Sequence, residues 1–389
     1  MSTYALKADR FVLPGSVACK GYLTIEEGTF GTWSAGKPDG IEVRDFSGAW
    51  IAPGYVDTHV HGFLGHDVMD CDADGVNEAS LGLARHGTTS WLPTTLTQPA
   101  EQIEAACASV WEASEGRGDD FCGARIEGIF LEGPFFTEKH KGAQNPANML
   151  DPSVELFCQW QEAAHGLICK SSLAPERAGA ADYCRDLKAM GVVTALGHSS
   201  ATCAQGLAAV AAGATAFVHT YNAMEGLHHR EPGLVGCAMT TRNTYSELIC
   251  DGHHVSPVAV QALVAAKGWD HVAVISDCLR CGGMPDGDYV LGDLPIRLVG
   301  ETARLIGEDG LLGNLAGAAT TVATGVKNLA NWGVVTPEQA IRMGSEVPAL
   351  SAGVDDVCGS MLPGRSADFN VLNADLTVAE TYISGMRVE

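Results

Sequence analysis

The first side chains suited to chemistry lie in one short stretch, Ile51-Ala-Pro-Gly-Tyr-Val-Asp-Thr-His-Val-His-Gly62. Alternate side chains of a β-strand point to the same side, so Asp57, His59 and His61 share one face. Two imidazoles at this spacing can chelate one divalent ion, because a neutral imidazole nitrogen is a good ligand for borderline metals. Taken alone, the stretch also fits a strand that ends in two satisfied polar residues.

More metal-type ligands stand where other predicted strands end. Besides His59 and His61 they are Glu132, His198, His219 and Asp277. Burying such groups unpaired costs several kcal/mol each, so packing is a poor explanation for six of them at matched positions. The pattern therefore predicts a metal centre.

The elements that position these groups alternate between strand-like and helix-like runs. Ala201–Ala212, for example, is rich in good helix formers. Eight β/α units in series predict a (β/α)8 TIM-type barrel, in which functional residues collect where strands end. A doubly wound open sheet is the alternative, but no strand-linked G-x-G-x-x-G is present. The strand candidates are Gly54–His61, Thr88–Thr95, Ala124–Glu132, Leu167–Leu173, Val192–His198, Ala214–Thr220, Glu247–Asp251 and Val272–Asp277.

The two ends of the chain read as β-structure with turn residues between short strands. The runs are Tyr4–Leu13, Gly21–Ile25, Gly40–Ile51, Ala367–Leu372 and Thr381–Val388. We therefore expect residues 1–52 and 358–389 to pair into a small β-sandwich domain, and residues 53–357 to form the catalytic barrel. Gly282–Val290 is predicted to be a hairpin inserted after the eighth barrel strand.

Composition limits the partners and the compartment. A formal charge of −23 argues against nucleic acid and anionic membranes, while a small anionic substrate needs local cations. The N-terminus lacks the apolar core of a signal peptide, and no apolar run is long enough for a membrane span. Thirteen scattered cysteines suit a reducing cytoplasm. Only Cys278 and Cys281 have C-x-x-C spacing, for which a redox or zinc role is the alternative to a role as small core residues.

The ligand order, His-x-His, Glu, His, His, Asp, resembles the amidohydrolase superfamily and, within it, the N-acetylglucosamine-6-phosphate deacetylases. Leu-Glu-Gly-Pro followed by Gly142-Ala-Gln144 is specific to these deacetylases, as is Asn-Ala-Met followed by Arg-Glu-Pro-Gly. The similarity runs nearly end to end, through Pro53-Gly-Tyr-Val-Asp57, His86-Gly-Thr-Thr-Ser90, Leu131-Glu-Gly-Pro-Phe135, Leu173-Ala-Pro-Glu176, Gly197-His-Ser199, His219-Thr-Tyr-Asn-Ala-Met224, Arg230-Glu-Pro-Gly233, Asp251-Gly-His-His-Val255 and Leu315-Ala-Gly317.

The resemblance implies a role for each polar residue. Glu132, His198 and His219 would hold the principal metal, Asp277 would act as the base and then the acid, and His254 would donate a hydrogen bond to the amide carbonyl. The sugar phosphate would bind Arg230 and the backbone of Asn222 and Ala223, with His229 nearby and His254 also in contact. The residues that would line the sugar are Ala143, Gln144, Leu315, Ala316 and Gly317.

The number and identity of the metals stay open at this point. His59 and His61 would bind a second ion, bridged by Glu132 with Asp277 as a further ligand, or stay empty. One or two divalent ions are expected, with zinc preferred over iron, manganese or cobalt. Lys170 is the position of a carboxylated lysine in some superfamily members, but a structural lysine is the expectation here.

Substrate and assembly are likewise expectations. The implied reaction converts N-acetyl-D-glucosamine 6-phosphate into D-glucosamine 6-phosphate and acetate. The alternatives are the galactosamine epimer, another amide, or a barrel that has lost its metals. The loop after Asp277 is expected to border the substrate, where Arg280 would add a phosphate contact or alter sugar preference. We also expect a homodimer, as is common in the family.

Overall fold

The computed structural model describes residues 3–118 and 120–389. It begins with four strands, of which the first three are joined by tight turns. Glu27 and Gly28, between the second and third strands, both have positive φ (52° and 86°), as a two-residue hairpin turn requires. The strands are β1 (Tyr4–Leu13), β2 (Ser16–Glu26), β3 (Thr29–Ser34) and β4 (Glu42–Pro53). The third strand has no counterpart in the sequence prediction.

A run of alternating strands and helices follows. The strands are β5 (Tyr55–Val60), β6 (Gly62–Phe63), β7 (His66–Asp67), β8 (Thr88–Pro93), β9 (Arg125–Ile126), β10 (Ile129–Phe135), β11 (Ile168–Leu173), β12 (Val193–Leu196), β13 (Ala216–Phe217), β14 (Tyr245–Ile249) and β15 (Val272–Ile275). The helices are α1 (Ala73–Arg85), α2 (Ala100–Glu115), α3 (Val154–Ala163), α4 (Ala180–Ala189), α5 (Cys203–Ala212), α6 (Gly233–Thr240) and α7 (Pro257–Lys267). Several begin at side chains that accept a hydrogen bond from the first turn, namely Asp72, Ser153, Thr202 and Ser256.

The eight strands β5, β8 and β10–β15 form a closed parallel barrel. Strands β10–β15 pair in chain order, and β5 pairs with β8. Bridges between Thr94 and Phe130 and between Val60 and Cys278 join these two sheets. The predicted barrel is therefore confirmed. Strand β13 is shorter than predicted, and the chain bends soon after it at His219, where φ is 25°.

An antiparallel sheet is inserted between β15 and the rest of the chain. Its strands are β16 (Gly287–Leu291), β17 (Leu294–Val299), β18 (Thr302–Ile306) and β19 (Leu312–Ala318). The predicted hairpin over Gly282–Val290 is wrong in extent, because only its end belongs to the first of four strands. The last strand is tied to the barrel, where Ala318 N donates to Asp277 O over 2.9 Å. The inserted sheet thus lies against the carboxyl ends of the barrel strands.

The chain ends with helices α8 (Val322–Asn331), α9 (Pro337–Met343) and α10 (Glu346–Ala352), then strands β20 (Phe369–Leu372), β21 (Val378–Ile383) and β22 (Met386–Arg387). These strands join the N-terminal ones in one sheet, in the order β22-β21-β20-β4-β1-β2-β3. The sheet curls over, since Phe30 N donates to Arg365 O over 2.8 Å. Leu6, Ile25 and Phe369 are buried in its own core. The division at 52/53 and 357/358 stays a prediction.

Across the described residues, every helix is too short or too polar to span a bilayer.

Candidate metal centre and substrate cavity

Six buried side chains meet at the carboxyl end of the barrel. One group consists of His59, His61 and Asp277, and the other of Glu132, His198 and His219. Within each group the ligand atoms lie within 4.8 Å of one another. His59 and His61 are two residues apart at the end of one barrel strand. Each of the other four residues belongs to a different barrel strand or directly follows it. The structure therefore brings together every metal ligand that the sequence predicted.

Glu132, on β10, faces both groups. Its Oε1 lies 3.2 Å from His198 Nε2 and 3.1 Å from His219 Nε2. Its Oε2 lies 3.4 Å from His61 Nε2. Asp277 Oδ1 is 3.4 Å from both His59 Nε2 and His61 Nε2. Oε1 also lies 3.4 Å from His59 Nε2, so this carboxylate contacts both groups and would be shared by two ions if each group bound one.

The hydrogen bonds of these residues fit a divalent cation. His198 Nδ1 lies 2.9 Å from the carbonyl oxygen of His140, which can only accept, so Nδ1 carries the proton. In neutral His198 the Nε2 lone pair then faces Glu132 Oε1, an arrangement that needs a positive charge between the two acceptors. The Nε2 atom of His59 is buried and has no hydrogen-bond partner. Imidazole and carboxylate donors of this kind suit zinc, iron, manganese and cobalt.

Burial and neighbouring charges shift the pKa values of this cluster in opposite directions. Burial lowers the pKa of His59, but the carboxylates of Asp277 and Glu132 outweigh it and raise that pKa to about 10. Burial raises the pKa of Glu132, yet the neighbouring histidines hold it well below its usual range. The histidines lower the pKa of Asp277 in the same way. Ionised carboxylates at neutral pH give the centre the negative charge that attracts a cation, which would displace protons from the imidazoles.

Backbone conformation turns three of the ligands towards the centre. His198, His219 and Asp277 have φ angles of 45°, 25° and 52°. This left-handed region is uncommon for residues other than glycine and is typical of functional sites, because packing must enforce it. Each of the three follows a barrel strand, so the strained turn redirects the side chain from the barrel wall to the shared centre.

A buried ion pair between Lys170 and Glu247 contacts His59 through its Nδ1 atom. The sequence analysis did not identify this pair. His59 Nδ1 contacts Glu247 Oε2 at 3.1 Å, and the same oxygen accepts from His219 N at 3.2 Å. Lys170 pairs with the other oxygen of Glu247. Lys170 therefore has the structural role expected for it. The only sequence signal for Glu247 was that it is the one charged residue of β14, Tyr-Ser-Glu-Leu-Ile.

His254 is aimed at the centre by Asp251. Its Nδ1 lies 2.6 Å from Asp251 Oδ2, while its Nε2 is buried without a partner and the residue lines the cavity. Burial raises the pKa of Asp251, but the hydrogen bond from His254 outweighs it and the net shift is downward. An imidazole that donates from both of its nitrogens must be in the imidazolium form.

A cavity of about 500 Å³ opens on these groups. Gln144 Nε2 donates to Glu132 Oε2 over 2.5 Å, and Gln144 Oε1 accepts from Thr97 N over 2.8 Å, so the amide is fixed at the metal centre. The walls include all the residues predicted to line the sugar and both members of the predicted backbone site, namely Ala143, Gln144, Asn222, Ala223, Leu315, Ala316 and Gly317.

Three predicted cationic or polar contacts lie elsewhere. His229 and Arg230 are exposed, hydrogen-bonded to each other at 2.7 Å, and absent from the cavity wall. Arg280 forms ion pairs with Asp70 at 2.6 Å and Asp67 at 3.6 Å and is absent from the cavity wall, whereas Leu279 of the same loop lines it, as expected for this loop. All thirteen cysteines are free thiols, Cys278 and Cys281 among them.

The closed barrel with a His and carboxylate cluster at its strand ends defines the class of metal-dependent hydrolases. Residues 50–388 match the amidohydrolase family, and the chain belongs to that family. It is 39% identical to an N-acetylglucosamine-6-phosphate deacetylase of Vibrio furnissii over 87% of this chain and 82% of the relative. It is 37% identical to an N-acetylgalactosamine-6-phosphate deacetylase of Escherichia coli O157:H7 over 98% of both chains.

A solved structure is similar over the whole length. It is a mutant N-acetyl-D-glucosamine-6-phosphate deacetylase from Mycobacterium smegmatis in complex with N-acetyl-D-glucosamine 6-phosphate. The two chains have a TM-score of 0.93 with 29% sequence identity, and the match covers 100% of each. The predicted family resemblance is therefore confirmed, both in sequence and in fold.

Proposed function

We propose that the protein hydrolyses N-acetyl-D-glucosamine 6-phosphate to D-glucosamine 6-phosphate and acetate. The observation that carries this proposal is the cavity on which five of the six clustered residues, Asp277 among them, open together with His254. Relatives named as deacetylases of this sugar phosphate, at 31–39% identity, support the same reaction. The enzyme is thus a metal-dependent amidohydrolase that cleaves the acetamide of an amino sugar.

Glu132, His198 and His219 would hold the principal ion, and His59, His61 and Asp277 a second one. We propose zinc. A divalent ion bound here polarises the acetamide carbonyl and lowers the pKa of water.

The proton transfers belong to Asp277. Its carboxylate, whose pKa is lowered by the surrounding histidines, is ionised at neutral pH and can accept the proton of the attacking water. The same group then protonates the departing amine. His254, held by Asp251, donates from Nε2 to the carbonyl oxygen as it becomes an oxyanion. Both residues line the cavity, so one bound acetamide can meet them together.

We propose that the sugar contacts Ala143, Gln144, Leu315, Ala316 and Gly317, and that the backbone of Asn222 and Ala223 contributes to phosphate binding. Both the backbone N and the side-chain Nδ2 of Asn222 donate to His219 O, at 3.0 and 3.2 Å, so within this pair the backbone N–H of Ala223 would donate to the phosphate. His229 and Arg230 do not line this cavity. They would contact a phosphate only if another protein surface packed against their exposed loop.

N-acetyl-D-galactosamine 6-phosphate is the second candidate substrate. The relative that matches 98% of both chains bears the name of that deacetylase. The two sugars differ in the orientation of one hydroxyl group. The acetamide chemistry proposed for Asp277 and His254 is the same for both.

A homodimer and a cytoplasmic location are also proposed. The loop that bears His229 and Arg230 has an exposed apolar residue, Leu227, with 59% of its surface accessible. An interface there would cover it. Thirteen free thiols fit a reducing compartment. Light scattering of the purified protein tests the dimer, and a monomer at micromolar concentration would contradict it.

The test of the function pairs metal analysis with an acetate-release assay. The substrates are N-acetylglucosamine 6-phosphate, its galactosamine epimer, and N-acetylglucosamine without phosphate as the control. We expect acetate from the glucosamine phosphate at the highest kcat/KM. Preference for the epimer would make the second candidate correct. Bound metal without acetate release from either phosphate would overturn the proposal.

A further inference from the structure

The loops that follow strands β10, β11 and β12 meet at one carboxylate outside the metal centre. Glu176, in the loop after β11, is half-buried and accepts three short hydrogen bonds. Its Oε1 accepts from Thr137 Oγ1 and from Ser200 N, both over 2.6 Å. Its Oε2 accepts from Ser199 Oγ over 2.7 Å. Thr137 follows β10 and the two serines follow β12, so one side chain joins three successive loops at the carboxyl end of the barrel.

Two of these hydrogen bonds come from residues that fix the backbone of His198. Thr137 N donates to His198 O over 3.0 Å, and Ser199 directly follows His198 in the chain. His198 has a φ of 45°, a left-handed conformation that surrounding contacts must enforce. Glu176 contacts both Thr137 and Ser199 and thereby restrains this turn from two sides.

The imidazole of His198 depends on the same loop after β10. Its Nδ1 donates to His140 O over 2.9 Å, and His140 N in turn donates to Thr137 O over 3.0 Å. Phe136, directly before Thr137, stacks on the imidazole, with the ring centroids 4.4 Å apart. The partner of Nδ1 fixes the tautomer and the orientation of a metal-binding imidazole. A displacement of Thr137 would therefore turn the Nε2 atom of His198 away from Glu132.

We propose that Glu176 is a positioning residue, which holds His198 in place for binding the principal ion. Glu176 belongs to neither ligand group and does not line the cavity, so it acts through Thr137 and Ser199. An ionised carboxylate suits this position, because it offers about four lone-pair sites to the donors around it and donates no hydrogen bond itself. The inference rests on the proposed function, since it concerns an ion in the same centre.

The test measures zinc affinity by competition with a chelator, in a background that lacks the second ligand group, His59→Asn/His61→Asn. Glu176→Ala should lower the affinity of the principal site roughly 10- to 100-fold, because the imidazole loses its fixed orientation. Glu176→Gln should recover part of the loss, since its amide oxygen can still accept from Thr137 and Ser200. An unchanged zinc affinity in Glu176→Ala would overturn the inference.

Arg177→Ala is the matched control, because it changes the next residue of the same loop, which is paired at 2.8 Å with the exposed Asp151. It should leave the zinc affinity unchanged. Thr137→Val removes one hydrogen bond of Glu176 at nearly constant shape and should cause a smaller loss of affinity, roughly 3- to 10-fold. A loss in Arg177→Ala as large as that in Glu176→Ala would overturn the inference, because any change in this loop would then disturb the centre.

Melting temperatures and cobalt spectra separate positioning from a general contribution to stability. Glu176→Ala should reduce the rise in melting temperature that added zinc produces, because a more weakly bound ion stabilises the folded chain less. The visible spectrum of cobalt bound at the same site should change as well, since it depends on the coordination geometry. An equal drop in melting temperature with and without zinc, together with an unchanged cobalt spectrum, would overturn the inference in favour of a merely structural role.

Metal binding requires no turnover, which separates this inference from the proposed function. If wild type releases no acetate, the proposed function fails, and a loss of zinc affinity in Glu176→Ala still supports the positioning role. If Glu176→Ala keeps the wild-type zinc affinity, the inference is wrong even though the enzyme is active.

Discussion

At the scale of single residues, Asp277 has the most proposed roles, as a metal ligand and as the group that accepts and then returns the proton. It belongs to one of the two ligand groups and lines the cavity, and its own backbone also accepts from the inserted sheet. Replacing it with asparagine keeps the shape and the ligand oxygen but removes the proton acceptor. Asp277→Asn should therefore lower kcat roughly 10²- to 10⁴-fold while the principal metal stays bound.

Acetate release together with metal analysis of the same preparation checks this expectation. Full activity in Asp277→Asn would exclude Asp277 from the proton transfers. Loss of all metal would instead show that its carboxylate is needed to hold the principal ion.

The Lys170–Glu247 pair allows an experiment on Glu247, which the sequence analysis did not identify. Both side chains are fully buried, and Glu247 also holds His59. Glu247→Gln leaves the lysine charge buried without its partner, which should lower the free energy of unfolding by about 3–5 kcal/mol. Metal affinity should fall roughly 10- to 100-fold, because His59 loses the carboxylate that orients it.

The double variant Lys170→Met/Glu247→Gln is the control for the unpaired charge of Lys170. It should recover much of the lost stability in denaturant unfolding but not the metal affinity. Equal stability of the single and double variants would mean that the unpaired lysine is not the cause.

At the scale of elements, the loops and the inserted sheet determine the shape of the cavity, and the barrel determines its chemistry. The alternation of hydrophobic strands and Ala-rich helices predicted the barrel, because each repeat carries its own local signal. The inserted sheet has no such repeat, and its four strands are short. The motif Leu315-Ala-Gly317 predicted one contact of this region with the sugar, but the sheet itself became visible only through the contacts of β19 with Asp277 and Leu279.

Lys267, at the end of α7, links this helix to α6. Its ammonium group donates to Ala238 O, Thr241 O and Thr244 Oγ1 at 2.9, 2.8 and 2.7 Å. Burial lowers the pKa of Lys267 to about 8, whereas the unfolded chain keeps the proton up to about 10.4. Between these values the unfolded state binds more protons, so this residue makes stability rise with pH.

Wild type must be compared with Lys267→Met, because buried thiols change the free energy of unfolding with pH in the opposite direction. Burial raises the pKa of Cys107 and Cys250, so these groups make stability fall as pH rises past their unfolded values. The difference in unfolding free energy between wild type and Lys267→Met should grow from pH 8 to pH 10. A difference that is independent of pH would contradict the lowered pKa.

At the scale of the whole molecule, the proposed metal centre joins distant parts of the barrel. Its ligands come from the ends of strands between β5 and β15. An ion that binds only the folded chain stabilises it by mass action, so chelation should lower the melting temperature and added zinc should restore it. A melting temperature that does not respond to chelator would contradict an ion bound by these six residues.

The number of ions can be counted with His59→Asn/His61→Asn. Wild type should contain close to two ions per chain, and the double variant close to one, because Glu132, His198 and His219 remain. One ion per chain in both proteins would leave His59 and His61 without a ligand role.

The sequence by itself determined the barrel and the six-residue centre. Both follow from local patterns, since alternation places a side chain on one face of a strand and all strands of a parallel barrel end at the same edge. Tertiary structure decided which distant groups meet. His59 and Glu247 are 188 positions apart, and Arg304 reaches the cavity through a sheet without sequence periodicity. Arg230 lies outside because a motif specifies residue types but not the path of an exposed loop.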